Sequence, residues 1–308
     1  MTHASLFSGI GGAEIAASWL GWKNLFHCEI QEFQRKVLAY WFPESISYED
    51  ITKTDFRQWR GKVDILTGGF PCQPFSMAGK RLGAKDDRYL WPHMLRAIRE
   101  IQPAWIVGEN VAGILSMVQP GKDIKMERSP YIFEESYIYR KEQQFTIEAI
   151  CEDLESAGYS VQPFVIPACA VGAPHRRDRV WIIAHRTNAR SESVQQGRKD
   201  RISEFGVVAH TQSAGIAREL FGKQEKIQSY GQNRRIGKPD FQNFPTQPPI
   251  CSRDDGLSIR MANLAISFAK WRRKSIEALG NALVPQVAYE IFKAIEKIEA
   301  NDTTNNNR

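Results

Sequence analysis

The sequence lacks any apolar run long enough to cross a bilayer, because its hydrophobic stretches have only the length of strands. Its five cysteines form no C-x-x-C pair and have no histidine at a metal-ligand spacing, so neither a disulfide framework nor a zinc site is indicated. Apolar residues of strand type begin at Ala4, which leaves no room for a signal segment before them. We therefore expect a reduced, metal-free, cytoplasmic protein that is not attached to a membrane.

The composition is that of an ordinary folded protein, with 42% hydrophobic and 25% charged residues. A chain of 308 residues can bury one large core, with or without a smaller module, and needs no partner subunit for stability. We therefore expect a monomer. The net charge of +6 suits a polyanionic partner but does not require one.

Short apolar runs alternate with longer amphipathic stretches through the first 184 residues. This alternation predicts an α/β fold with a mostly parallel sheet and helices on both faces. The predicted strands are 4–7, 25–29, 46–48, 63–67, 105–107 and 180–184. The predicted helices are 13–20, 31–40, 91–100, 146–157 and, near the C-terminus, 283–299.

Three stretches depart from this alternation. Residues 119–144 mix charged and aromatic side chains directly after a predicted strand, and are either a lid over a site or a solvated insertion. Residues 185–255 are rich in Gln, Ser, Arg and Gly and carry 12 − 8 = +4 of the net charge. Residues 301–308 are polar, and we expect them to be disordered.

Three features at predicted strand ends suit a nucleotide-like cofactor. The segment Phe7–Gly12 (FSGIGG) joins the first strand to the first helix, where glycines permit a tight turn and expose backbone N–H groups. Glu29 and Asp50 follow the next two strands, where such sheets bind ribose hydroxyls or an adenine amino group. The glycine turn by itself is equally consistent with packing, and each acid by itself is more often a helix cap or a solvated charge. Their succession favours a cofactor site.

A cysteine and an acid at two further strand ends suggest covalent chemistry. Cys72 lies between two prolines in the segment Gly68–Ser76, directly after the apolar run 63–67. A thiol in a rigid loop at the carboxyl edge of the sheet is a candidate nucleophile, and an inert cysteine in a proline turn is the alternative. Glu109 follows the strand 105–107 at the same edge, so we expect its carboxyl group to face the same crevice as Cys72. In that position it is a candidate general acid.

A cluster of basic residues precedes the last predicted strand. In extended backbone, Arg177 and Arg179 lie on the same side of the chain as His175. By itself this segment predicts an exposed charged edge.

Taken in order, these motifs resemble those of the cytosine-5 DNA methyltransferase family over nearly the whole chain. The resemblance rests on Phe7–Gly12, Glu29, Asp50, Pro71-Cys72-Gln73, Glu109-Asn110-Val111, Arg177 with Arg179, and Gly280-Asn281-Ala282. It implies a Rossmann-like catalytic domain over 1–184, a target-recognition region over 185–255, and a return to the catalytic domain over 256–300. It also implies S-adenosylmethionine as methyl donor, S-adenosylhomocysteine as product and double-stranded DNA as substrate, with a cognate restriction endonuclease as partner in a restriction-modification system.

The resemblance further implies roles for individual residues. Cys72 would add to carbon 6 of a flipped-out cytosine, Glu109 would protonate or hydrogen-bond ring N3, and Arg177 and Arg179 would support that site. The implied cofactor site comprises Phe7, Gly9, Gly11, Glu29, Ile30, Asp50, Ile51, Pro71, Leu90, Asn281 and Ala282.

The sequence departs from the family pattern at two places, and two other functions stay open. His175 replaces the family's usual glutamine, and Asp254–Leu257 stands where the penultimate motif is expected. The first alternative is a tRNA cytosine-5 methyltransferase, whose family carries a Cys-Phe-Thr signature that this sequence lacks. The second is a catalytically silent nucleic-acid-binding homologue, which would have no chemical need for Cys72, Glu109 and Arg177 together.

Overall fold

The computed structural model describes residues 1–71, 90–118, 123–125, 139–141, 145–187 and 267–306. The strands are β1 (Thr2–Leu6), β2 (Lys23–Cys28), β3 (Ile46–Tyr48), β4 (Ile65–Gly68), β5 (Trp105–Val111), β6 (Asp123–Lys125), β7 (Tyr139–Lys141), β8 (Tyr159–Pro167) and β9 (Asp178–Arg186). The helices are α1 (Gly12–Trp19), α2 (Glu32–Trp41), α3 (Trp91–Ile101), α4 (Thr146–Ser156), α5 (Phe268–Asn281) and α6 (Pro285–Asn306).

Seven strands form one sheet in the order β3-β2-β1-β4-β5-β9-β8. The first five are parallel, β9 runs antiparallel to β5, and β8 runs antiparallel to β9. The strand order reverses beside β1, which pairs with β2 on one side and with β4 on the other. Open α/β sheets bind ligands in the crevice at such a reversal, outside the carboxyl ends of the strands. Among the candidate residues that the structure describes, Glu29, Asp50 and Glu109 lie at that edge.

Helices cover both faces of the sheet, because successive residues of a buried strand point to opposite faces. On β4, Leu66 joins the apolar cluster under α3 and α4, whereas its neighbour Ile65 joins the cluster under α1 and α6. A third cluster forms where Ala278 of α5 packs with Phe33 and Val37 of α2. Within the described ranges, no helix is both long and apolar enough to span a bilayer.

The doubly wound α/β fold predicted from the sequence is confirmed, with element ends that differ by a few residues. β8 was not predicted because Pro163 and Pro167 interrupt its sequence. This strand lies at the edge of the sheet and forms backbone hydrogen bonds with one neighbouring strand only, so proline is tolerated in it. α5 was also not predicted, because its apolar positions are few and its charge is high.

Three predictions about irregular stretches have different outcomes. The insertion 119–144 contains β6 and β7, which form an antiparallel pair. α6 continues to Asn306, so the expectation of disorder over 301–308 is wrong for its first six residues. Asn and Thr are only modestly unfavourable in a helix, so α6 can extend through them from the segment that packs in the core. Of the predicted target-recognition region, residues 188–255 lie outside the described ranges.

Candidate active site

The turn between β1 and α1 is built from left-handed backbone. Phe7, Gly9 and Gly11 have φ angles of 53°, 56° and 93°. A Cβ on Gly11 would lie 2.8 Å from an aromatic carbon, and one on Gly12 would lie 2.7 Å from a backbone oxygen, so packing requires glycine at both positions. A Cβ on Gly9 would meet no atom of the described chain within 4 Å. The turn therefore presents bare backbone to open space at Gly9.

Glu29 connects this turn to the end of β2. Its carboxylate accepts hydrogen bonds from the backbone N–H of Gly9 at 2.8 Å and of Gln31 at 2.9 Å. Burial raises the pKa of this carboxyl, and the two hydrogen bonds oppose that shift. The next residue, Ile30, is 61% exposed. A fixed acid beside an exposed apolar side chain suits a ligand that has both hydroxyls and a flat ring.

Asp50 lies two residues after β3 and organises the turn that follows. One carboxylate oxygen accepts hydrogen bonds from the backbone N–H and the hydroxyl of Thr52, at 2.9 and 2.7 Å, and the other lies 3.3 Å from Lys53 Nζ. The hydrogen bonds from Thr52 lower the pKa of Asp50, which keeps the carboxylate charged at neutral pH. Ile51 is 5% exposed and packs in the core, and its carbonyl oxygen accepts a hydrogen bond from Arg96.

Glu109 lies on β5, at the far side of β4 from the glycine turn. Its carboxylate accepts from Arg179 Nε of β9 at 2.8 Å, and its side chain is 15% exposed. A Cβ placed on Gly69 would lie 3.5 Å from Glu109 Oε2, so the carboxylate faces the chain that leaves β4. Burial raises the pKa of Glu109, whereas the charges of Arg179 and Arg177 lower it. Glu109 is therefore a half-buried acid that a guanidinium holds beside Gly69, on the chain that continues towards Cys72.

Asn110 fixes the same chain in place. Its Nδ2 donates a buried hydrogen bond to the carbonyl oxygen of Phe70 at 3.0 Å, and its Oδ1 accepts from the N–H of Val111 at 2.9 Å. The described chain stops at Pro71, which is exposed. Cys72, the candidate nucleophile, lies outside the described residues. The sequence contained Asn110 but offered no role for it, because its partner is a backbone carbonyl far away in sequence.

Arg177 and Arg179 have different partners. The expectation of extended backbone through 175–179 is wrong at Arg177, whose φ is 37°, and β9 begins only at Asp178. Arg177 Nη2 donates to the carbonyl oxygens of Gly280 and Ala282, both at 2.8 Å. Arg179, and not Arg177, therefore holds the Glu109 carboxylate, because the left-handed turn directs the Arg177 side chain elsewhere. In this structure Arg177 anchors the segment between α5 and α6 to the edge of the sheet.

Replacing Arg177 by methionine should lower the Tm and increase hydrogen–deuterium exchange at 280–284. Two hydrogen bonds from a charged donor are lost, which costs about 2 to 3 kcal/mol. Arg176→Met is the matched control, because Arg176 is an exposed neighbour whose ion pair with Asp178 contributes less than about 1 kcal/mol. Equal unfolding temperatures for the two variants would contradict the anchoring role.

The structure places the segment after α5 beside the glycine turn. The segment containing Asn281 and Ala282 reaches the glycine turn, since a backbone oxygen of Leu283 lies against Gly12. Pro71 and Leu90 flank the range 72–89, which is outside the described residues. Leu90 is half-buried and directly precedes α3.

A buried polar cluster below the glycine turn was missed by sequence reasoning. Glu14 of α1 is fully buried, hydrogen-bonds to the Ser5 hydroxyl, and has a pKa raised by burial to about 7. Ser8 accepts from the N–H of Cys28 at 3.1 Å and donates its own N–H to the Cys28 carbonyl at 3.2 Å. The cluster joins β1, α1 and β2 beneath the turn. An acid on the alanine-rich face of α1 was the available signal.

Comparison with known proteins identifies the family. Residues 1–125 and 136–245 match the family described as C-5 cytosine-specific DNA methylase, and the chain belongs to it. Membership implies S-adenosylmethionine as the methyl donor. The match covers the glycine turn, Glu29, Asp50, Glu109 and both site arginines.

Several relatives and solved structures are similar to parts of the chain. The type II methyltransferase M.Eco47II of Escherichia coli is 34% identical over 61% of this chain and 40% of its own. M.HpaII of Haemophilus parainfluenzae is 34% identical over 59% and 45%, and M.NlaIV of Neisseria lactamica is 28% identical over 78% and 55%. A DNMT2 variant of Spodoptera frugiperda is 24% identical, with 63% and 52% covered and a TM-score of 0.44. The chain thus spans about half, or less, of the length of these curated relatives.

Proposed function

We propose that the chain transfers a methyl group from S-adenosylmethionine to carbon 5 of a cytosine in duplex DNA, with Cys72 as the covalent nucleophile. The observation that carries the proposal is Glu109, whose half-buried carboxyl is held by Arg179 at 2.8 Å and faces the chain that leads into Cys72. An acid and a thiol at one sheet edge, next to a cofactor turn at the neighbouring strand, are what the chemistry requires.

The residues at the strand-order reversal fit S-adenosylmethionine. The open space beside the Gly9 backbone suits the amino-acid end of the cofactor, and the fixed carboxylate of Glu29 suits the ribose hydroxyls. The exposed side chain of Ile30 suits the adenine face, and the charged carboxylate of Asp50 suits the adenine amino group. The cofactor would supply an electrophilic methyl group. Asn281 and the anchored segment around it would close the site from the other side.

The protein's own residues must activate the cytosine, because carbon 5 is a poor nucleophile. Addition of the Cys72 thiolate to carbon 6 forms a C–S bond and moves ring electrons towards N3 and the carbonyl oxygen. Glu109 donates a proton or a strong hydrogen bond at N3, and burial favours the protonated form that can do so. Arg179 fixes the orientation of that carboxyl group. Carbon 5 would then take the methyl group, with S-adenosylhomocysteine as the leaving group. Loss of the carbon 5 proton to a base, return of the N3 proton to Glu109 and breaking of the C–S bond would release the Cys72 thiolate and restore the ring.

DNA is favoured over RNA as the substrate by the description of the family and by the type II methyltransferase relatives. The absence of the Cys-Phe-Thr signature agrees with this choice. Because carbon 6 is inaccessible in a stacked duplex, the target base must be flipped out, as methyltransferases do. We also propose a cytoplasmic monomer working beside a restriction endonuclease, on the sequence features and relatives given above.

Methylation of two substrates tests the function. Duplex plasmid DNA and bulk tRNA are incubated separately with the protein and S-adenosylmethionine, and digested nucleosides are analysed by mass spectrometry. We expect 5-methylcytosine in the DNA only, and bisulfite sequencing should place it in one short sequence context. Methylation confined to tRNA would reassign the substrate, and cofactor binding without methylation of either would support the silent homologue.

Replacing Asp50 by alanine should weaken S-adenosylmethionine binding about 10- to 100-fold, the value of one hydrogen bond to a charged group. Asp50→Asn separates the two roles of the residue, since it retains an acceptor for Thr52 but loses the charge. Asp55→Ala is the matched control, because Asp55 is an exposed acid of the same loop that pairs with Arg57. Calorimetric titration showing equal cofactor affinity in the wild type and Asp50→Ala would remove Asp50 from the site.

A further inference from the structure

α5 has one buried face and one open face. Ser275 and Ala278 are 4% and 3% exposed where the helix packs on α2. On the opposite side a shallow groove is lined by Ala269, Arg272, Arg273 and Ile276, which the spacing of three and four residues places on one face. Ile276 is 61% exposed. No residue of the described structure packs over this face.

The open face is strongly basic. Between residues 270 and 274 only Trp271 is uncharged, and α5 as a whole carries 4 − 1 = +3. Within the described residues, Lys270, Arg272, Arg273 and Lys274 form no ion pair. Arg272 and Arg273 line this face, and Glu277 is the one acid of α5. A net charge of +3 on this helix suits a surface that binds a polyanion.

The basic face lies close to the candidate active site. α5 ends at Asn281, and the following turn is fixed to the sheet edge by Arg177, two residues from the arginine that holds Glu109. At about 1.5 Å per helical residue, the cations lie about 10 to 17 Å along the helix from Asn281. One strand of DNA advances about 3.4 Å per nucleotide, so this distance corresponds to about three to five nucleotides.

We infer that the exposed face of α5 binds the phosphates of duplex DNA that flank the target base. The inference rests on the proposed function and adds a contact surface outside the region 185–255. Arg272 and Arg273 present guanidinium groups, which pair with phosphate oxygens, and their contacts carry no sequence information. The helix thus supplies affinity for any duplex sequence and holds the DNA over the sheet edge.

The salt dependence of DNA binding tests the inference. Each phosphate contact contributes about 0.9 to the slope of log affinity against log salt concentration. For Arg272→Gln with Arg273→Gln, fluorescence anisotropy with a labelled duplex should give a slope smaller by about 1.8 than that of the full wild-type chain. The KM for S-adenosylmethionine should not change. Should the double variant unfold early, each single variant is expected to lower the slope by about 0.9.

Two controls separate a local contact from net charge and from folding. Lys23→Gln with Lys62→Gln removes the same charge from the opposite, amino-terminal edge of the sheet, and should leave the slope unchanged. Arg272→Lys with Arg273→Lys keeps the charge and should keep the slope. A wild type that binds and methylates DNA, with a glutamine variant whose slope is unchanged, would overturn this inference and leave the proposed function intact. A wild type that does not bind DNA would overturn both.

Discussion

Replacing Cys72 by serine is expected to abolish methyl transfer, with a loss on the order of 10⁴-fold or more, because the hydroxyl is far less acidic than a thiol and is a much poorer nucleophile at neutral pH. S-adenosylmethionine binding should be nearly unchanged, since Gly9, Glu29 and Asp50, whose backbone or carboxylates fit the cofactor, follow β1, β2 and β3. Methyl transfer to plasmid DNA and calorimetric cofactor titration measure the two effects.

The other cysteines provide the controls for this prediction. Burial raises the pKa of both Cys28 and Cys151 to about 12, so neither thiol forms a thiolate at neutral pH. Cys169 is exposed, and Cys169→Ser should retain full activity. A Cys72→Ser variant that still methylates DNA would show that the nucleophile is elsewhere.

Replacing Glu109 by glutamine should lower kcat by about 10²- to 10⁴-fold, the usual contribution of a general acid. The amide preserves the size of the side chain but cannot donate a proton to N3, so DNA affinity should change little. Glu100→Gln is a matched control, because Glu100 is 19% exposed and pairs with Arg96 at 2.6 Å, much as Glu109 pairs with Arg179. Full turnover by the Glu109 variant would assign the proton transfer to another group.

The fold could be predicted from the sequence wherever local periodicity and burial agree. β1 to β5 and α1 to α4 are short apolar or amphipathic segments with clear turn residues between them, and each was found. β8 was missed because proline argues against a strand unless the strand is known to lie at an edge. The order of strands in the sheet sets that edge, and strand order is a property of the whole chain.

The candidate site could be predicted in its residues but only partly in its contacts. Glu29 and Asp50 follow strands and Glu109 lies near the end of one, so the parallel sheet gathers them at one edge. The partner of Arg177 depends on a left-handed backbone at that residue and on a segment about one hundred positions away. The side chain of Ile51 packs in the core, and its place at the cofactor stays a prediction.

Trapping on a modified base tests the central claim most directly. Fluorine at carbon 5 of the target cytosine cannot leave as a cation, so after methyl transfer the enzyme should remain bound to the DNA through Cys72. Wild-type protein, S-adenosylmethionine and a duplex with 5-fluorocytosine at the target position should give a complex that survives denaturation, with the modified base on the Cys72 peptide in mass spectrometry. Cys72→Ser should give no complex. A wild-type enzyme that methylates ordinary DNA but never forms this adduct, or forms it on another cysteine, would contradict the account.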